Sequence, residues 1–145
     1  MKFDFDRTGL VAAHQHSNGG GWVADTALVD DSVFVGSDAC VYGNASVYGN
    51  AIVSGNAIVS GNAIVFGDAI VSGNARVFGK AVVYDDARVH DHASIFSDAS
   101  IFGDARIFDH ASIFGNARVS GHARVWGNAC VWGNACVSGD ARVFG

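Results

Sequence analysis

Proline is absent from this 145-residue chain, and basic residues are few, with nine lysines and arginines against 14 acids. The formal net charge of −5 argues against nucleic acid or an anionic membrane as a partner, because both usually need a basic face. Nineteen glycines without any proline favour tight, regularly placed corners over flexible linkers. Threonine occurs only at Thr8 and Thr26, which excludes the regular threonine stripes of an ice-binding surface.

Cysteine is also scarce: Cys40, Cys130 and Cys136 form neither a disulfide framework nor the paired short spacing of a zinc site. From Gly43 onwards every glycine belongs to the same regular pattern, so no nucleotide-binding motif stands out. We therefore expect no cofactor and no metal. The first seven residues contain early acids and no apolar segment, and no run reaches the length of a membrane span. We expect no signal peptide and a cytoplasmic or virion-associated location.

Most of the chain is one six-residue unit, Gly-Asn-Ala-x-Val-x, which recurs without insertion from residue 25 to residue 144. Only Val33 departs from alanine at the third position. The fifth position is valine, with isoleucine at four places: Ile95, Ile101, Ile107 and Ile113. Two apolar positions separated by one residue predict a short strand with both side chains on one face. A period of six gives no steady helical stripe.

The first two positions of the unit form a corner pair, as in Gly43 and Asn44. Glycine tolerates unusual backbone angles, and the second position holds mostly Asn, Asp or His, the other residue types enriched at positive φ, with Lys80 among the exceptions. Each unit is therefore predicted to be a corner, at which the pair turns the chain, followed by a short straight strand.

Three six-residue sides close one triangular coil, and this arrangement resembles the hexapeptide-repeat superfamily with its left-handed β-helix. Val41, followed four residues later by Ala45, matches that superfamily's pair of an aliphatic and a small residue, as does every later pair. The unit is also similar to the repeats of some bacterial and phage solenoids. The resemblance implies an all-β, single-domain, left-handed parallel β-helix, a three-sided solenoid of about 6.7 coils. At the usual strand spacing the rod would be roughly 32 Å long. The handedness comes from the resemblance, not from the period.

Residues 1–24 do not follow the repeat and are predicted to form an N-terminal cap or attachment arm, with residues 25–145 as the solenoid. Phe3 and Phe5 alternate with acids, a pattern that favours a capping strand. The repeat continues to Phe144, so we expect the last coil to present unpaired backbone groups to another chain.

Residues three units apart should stack, so the outward positions of each side form columns. Two columns are largely uncharged and aromatic, and they supply the interface candidates: Phe78, Phe96, Phe114 and Trp132 on the first side, and Phe66, Tyr84 and Phe102 on the second. Exposed apolar strips often mark an interface, whereas stacked rings can also simply stabilise stacked strands. The interface explanation predicts a homo-oligomer or filament.

The third side carries an arginine column, Arg88, Arg106, Arg124 and Arg142, which is the candidate site for an anionic partner. An aspartate two residues before three of these arginines offers local neutralisation as the alternative. The preceding acids are Asp86, Asp104 and Asp140. His92 and His110, three units apart at one corner, are the best metal candidates, but both occupy a position where histidine is tolerated for structural reasons.

We interpret the chain as a non-enzymatic structural or self-assembly module, a rigid rod that packs laterally or end to end with itself or within a filament or phage appendage. The resemblance also implies an alternative, an acyltransferase-like or metal-dependent enzyme with sites between subunits. His90 would then serve as a base only beneath a neighbouring subunit. A scaffold for an anionic partner is the third hypothesis.

Overall fold

A computed structural model describes all 145 residues, and the protein is entirely β-structure without a helix. No long apolar helix of the kind that crosses a bilayer is present. In chain order the strands are β1 (Lys2–Phe3), β2 (Val11–Gln15), β3 (Trp22–Ala24), β4 (Leu28–Val29), β5 (Phe34–Val35), β6 (Cys40–Val41), β7 (Ser46–Val47), β8 (Ile52–Val53), β9 (Ile58–Val59), β10 (Ile64–Val65), β11 (Ile70–Val71), β12 (Arg76–Val77), β13 (Val82–Val83), β14 (Arg88–Val89), β15 (Ser94–Ile95), β16 (Ser100–Ile101), β17 (Arg106–Ile107), β18 (Ser112–Ile113), β19 (Arg118–Val119), β20 (Arg124–Trp126), β21 (Cys130–Val131), β22 (Cys136–Val137) and β23 (Arg142–Phe144).

These strands form three sheets, one for each side of a parallel solenoid. The first side runs in the order β1-β2-β3-β6-β9-β12-β15-β18-β21, the second from β4 to β22 and the third from β5 to β23. Every parallel pair joins residues that are three repeat units apart, as in Val47 opposite Val65. The predicted three-sided coil is therefore confirmed, whereas its left-handed winding stays a prediction.

The core is a continuous column of alanine, valine and isoleucine from the third and fifth positions of the units. Through the middle coils these side chains are fully buried and form one cluster of 36 residues. β-branched side chains fit the strands, and alanine lets the three sides approach one another. In the last coil the core is more open, since Val137 and Val143 are only half-buried.

From Gly43 onwards the corners turn at the first residue of each pair. Gly61 has φ of +65°, and where one of these corners lacks glycine the same position holds Asp85, Asp91, Ser97 or Asp109 with φ between +56° and +58°. No asparagine has a positive φ, so the expectation that the second position shares this conformation is wrong. Neighbouring coils also approach closely here, because a Cβ added at Gly61 would lie 3.0 Å from the backbone nitrogen of Gly79.

The first coil is covered by β1 and β2, of which β2 runs against the direction of the coils. β1 pairs with β2, and β2 with β3, in antiparallel fashion. The segment after β2 bonds to the third side, with the Val35 N–H donating to the Asn18 carbonyl at 3.0 Å. β3 already pairs in parallel with β6, so the coils begin at Trp22, a few residues before the repeat becomes recognisable.

Candidate functional site

The first-side strip consists of Phe78, Phe96, Phe114 and Trp132. Successive ring centroids in this column lie 5.0, 4.9 and 6.4 Å apart, with the planes nearly parallel. The three phenylalanines are half-buried by their neighbours in the stack, whereas Trp132 is 64% exposed. The neighbouring outward column contains serine at Ser94 and Ser112, which pair in register, so no charge interrupts this part of the face.

The second-side strip consists of Phe66, Tyr84 and Phe102, with ring centroids 5.0 Å apart at both steps. Tyr48 extends this column, 4.9 Å from Phe66. Ile64 and Val82 pair in register beside it and are likewise half-buried. The rings therefore stabilise the stacked strands directly, and their outer edges still form an apolar face.

The arginine column of the third side lies on four successive strands of one sheet, β14, β17, β20 and β23. The strands pair in register, so that Arg88 lies opposite Arg106, Arg106 opposite Arg124, and Arg124 opposite Arg142. All four side chains are exposed. No arginine lies within 4.0 Å of a carboxylate, so the preceding aspartates form no direct ion pair with the column, and neutralisation at longer range stays a prediction. Those aspartates occupy the corner, and the Asp104 carboxylate instead lies 3.4 Å from His122.

A polar groove of about 430 Å³ follows the corner between the third and first sides. Its walls include the stacked pair His92 and His110, whose ring centroids are 4.9 Å apart. The carboxylate of Asp91 accepts the Asp109 N–H at 3.3 Å, and that of Asp109 accepts the Gly127 N–H at 3.1 Å. These acids therefore bind backbone groups of the next coil. No three metal-ligating side chains cluster anywhere in the chain.

Two further histidines contact acceptors near the groove and near the N-terminus. His90 Nδ1 lies 3.2 Å from the Asp91 carboxylate, and the His90 ring stacks on Phe108 with centroids 5.2 Å apart. His14 Nδ1 lies 2.8 Å from the exposed carboxylate of Asp25. Sequence spacing missed the second pair, since residues 1–24 lie outside the repeat and their register was not predictable.

His16 is a structural histidine in the segment that covers the first coil. Its side chain is buried, and Nε2 lies 2.8 Å from the Val33 carbonyl oxygen. Because a carbonyl only accepts, Nε2 carries the proton in this contact.

The three cysteines are free and unequal in exposure. Burial raises the pKa of the Cys40 thiol, and the nearby negative charge of Asp38 raises that pKa further. Cys130 and Cys136 are exposed.

Comparison with known protein families supports the solenoid assignment. The model of the YdcK beta solenoid repeat matches four overlapping stretches, residues 39–55, 47–61, 59–73 and 69–85. No curated protein sequence matches the chain. Among solved structures, a Bacillus cereus protein, provisionally assigned as an acetyltransferase, is similar over 79% of this chain and 70% of its own, with 18% identity and a TM-score of 0.48.

Proposed function

We propose that the chain is a non-enzymatic structural module, a rigid solenoid that associates side by side with itself or within a larger particle such as a filament or phage appendage. The observation that supports this most directly is the first-side strip, where a stacked aromatic column lies beside the neutral column of Ser94 and Ser112. From Phe96 to Trp132 this surface is aromatic and uncharged, which are properties of surfaces that pack against a partner.

The coil geometry favours a rigid contact surface. Backbone bonds connect each coil to the next, as in the Ser94 N–H that donates to the Ala111 carbonyl at 3.0 Å. The side chains of the strip are already ordered by stacking, so association would cost little additional side-chain entropy. End-to-end association through the last coil stays a separate prediction.

The test places charges on the strip without removing any ring. In Ser94→Lys with Ser112→Glu, the opposite charges lie in register and the net charge is unchanged. We expect the wild-type chain to associate with rising concentration in sedimentation velocity, and this double variant to shift towards monomers. The control is Ser54→Lys with Ser72→Glu, also one coil apart but on the third side, and it should associate like the wild type. Monomers at every concentration of wild-type protein would refute the proposal.

A second candidate is a scaffold for an anionic partner, and the unpaired arginine column favours it. Arginines that pair in register on neighbouring strands repel one another, and a polyanion laid along the column would relieve this repulsion. Dextran sulfate should bind at low salt and dissociate as salt rises, since screening weakens such contacts. Arg106→Gln with Arg124→Gln should weaken binding, whereas the control Arg118→Gln, on the second side, should have little effect. Binding that ignores both salt and the double variant would dismiss this candidate.

The enzyme hypothesis, an acyltransferase-like activity, is favoured by one contact, the pair of His90 and Asp91 beside the polar corner groove. A carboxylate that orients an imidazole is a common arrangement for a general base. Turnover of acetyl-CoA that is lost in His90→Gln, but kept in the control His122→Gln, would support this hypothesis. No turnover with a panel of amine and hydroxyl acceptors would count against it.

A further inference from the structure

The aromatic column of the first side has a single internal gap. Phe5 stacks on Tyr42 with centroids 5.0 Å apart, and Phe78 begins the strip that continues to Trp132. Ser60 lies between Tyr42 and Phe78, at the same position of the coil. Its side chain is too short to fill the space that a ring occupies in the other coils of this column. Ser60 is only 8% exposed, so it forms the floor of a recess between two aromatic walls.

The recess has the width of one flat ring. Tyr42 and Phe78 are two coils apart, so their rings are about 10 Å from each other at a strand spacing of ~4.8 Å. A guest ring midway would lie about 5 Å from both walls, which matches the 4.9–5.0 Å between neighbouring phenylalanines of the same column. The recess measures about 180 Å³, and an apolar cavity of about 150 Å³ is already large enough for benzene.

The flank of the recess supplies a cation. Arg76 and Ile58 line it beside Ser60. In the sheet, Arg76 pairs with Ile58 on one edge and Ser94 on the other, so neither register neighbour is charged. Arg76 lies within 4.0 Å of no carboxylate. An unpaired guanidinium beside an aromatic slot is suited to a carboxylate attached to the inserted ring.

We propose that this recess binds a small flat aromatic carboxylate, with the ring stacked between Tyr42 and Phe78 and the carboxylate on Arg76. A second copy of the chain fits less well. The phenylalanines of its first-side strip, such as Phe96, are half-buried within their own column. Its well-exposed stacked rings, Trp132 and Phe144, both lie in the last coils, and insertion of one of them is a separate outcome of the test. The proposal does not depend on self-association.

The test uses 2-naphthoate as the probe, in dilute solution, with binding followed by calorimetry and by NMR of the protein. We expect saturable binding and shift changes concentrated at Tyr42, Ile58 and Phe78. Cyclohexanecarboxylate, which has the charge but not the flat ring, should not bind. Arg76→Gln should weaken naphthoate binding about tenfold, the loss expected of one charge-assisted contact.

Blocking variants make the assignment specific. Ser60→Phe should complete the column and abolish binding, while Ser60→Ala should leave the recess open and keep the wild-type affinity. Ser60→Leu is a second blocking variant that does not depend on correct stacking of a new ring. Ser120→Phe adds the same ring at the equivalent position of the second side and should not alter binding.

Several results would overturn the proposal. One is binding that persists in both Ser60→Phe and Ser60→Leu, and another is shift changes spread evenly along the aromatic strips. A third is a concentration-dependent shift of Tyr42 and Ile58, which lie outside the first-side strip, without any probe, because that would identify a second copy of the chain as the occupant.

Discussion

Replacing a corner glycine with alanine would measure how closely neighbouring coils approach. Gly61 has φ of +65°, and a Cβ there would lie 3.0 Å from the nitrogen and 3.1 Å from the carbonyl oxygen of Gly79. Gly139 has φ of +64°, but nothing lies within 4 Å of a Cβ added to it. The two sites therefore have the same backbone conformation, but only Gly61 lies against the backbone of a following coil.

The expected losses in the free energy of unfolding follow from these two environments. A left-handed backbone costs alanine about 1–2 kcal/mol, and the reduced freedom of the unfolded chain offsets about 0.4–1 kcal/mol of this. Gly139→Ala should therefore lower the free energy of unfolding by about 1 kcal/mol. At Gly61 the methyl group must also displace the next coil, and overpacking of this kind adds about 1–3 kcal/mol.

The chain contains its own precedent for a side chain at this position. Asp85 has φ of +58°, and its carboxylate accepts the N–H of Gly103, the corner residue of the next coil, at 3.1 Å. In the regular coils this N–H donates to no backbone carbonyl. Gly61→Asp should therefore be less destabilising than Gly61→Ala by about 1 kcal/mol, the usual contribution of one hydrogen bond.

Urea denaturation followed by circular dichroism would compare the three variants. Amide hydrogen exchange at both corners should accompany it, since a solenoid can open coil by coil and the last coil can open first. Equal losses for Gly61→Ala and Gly139→Ala, in unfolding and in local exchange, would refute the reasoning, because the close approach of coils would then have no energetic consequence.

Three further predictions test single side chains. Iodoacetamide at neutral pH should modify Cys40 much more slowly than Cys130 and Cys136, because the raised pKa and burial of Cys40 reduce its reactive thiolate; equal rates by mass spectrometry would contradict this. Ile101→Ala should lower the free energy of unfolding by about 2–5 kcal/mol and Ile101→Val by about 0.5–1.5 kcal/mol; similar losses for the two would indicate a loosely packed core. His16→Ala should cost about 1–3 kcal/mol, since a buried carbonyl loses its donor, and His16→Gln should recover part of this if the contact is the cause.

The coil could be predicted from the sequence, because every repeat unit has its inward-facing side chains at the same two positions. Val47 and Val65 pair in register because three repeat units make one coil, as their spacing predicted. The aromatic columns follow from the same offset of three units. The recess beside Ser60 could also have been found in this way, as the one serine between two aromatic residues of a column. The sequence alone gave no reason to expect that a short side chain in an aromatic column leaves space for a ring.

Other features depended on contacts that the period does not encode. Glycine and asparagine both accept a positive φ, so local preference could not decide which residue of the corner pair turns. The structure places the positive φ at the first residue, where neighbouring coils also approach closely, as Gly61 approaches Gly79 one coil further on. The aspartate before Arg106 was expected to neutralise it, but separation by two residues here places one side chain at a corner and the other on a face.

The distribution of charge between corners and faces bears on any partner. From Asp68 onwards every aspartate occupies one of the two corner positions, whereas from Arg76 onwards every arginine occupies the outward position of a strand. In this part of the chain the negative charges therefore lie along the edges of the rod, and the flat sides carry uncharged residues or arginines. Edges of like charge repel one another, so close contact between copies is favoured between faces. The same separation means that the acidic composition of the whole chain does not exclude an anionic partner on the third side, because the arginine column lies on the face of that side and the acids lie at its edges.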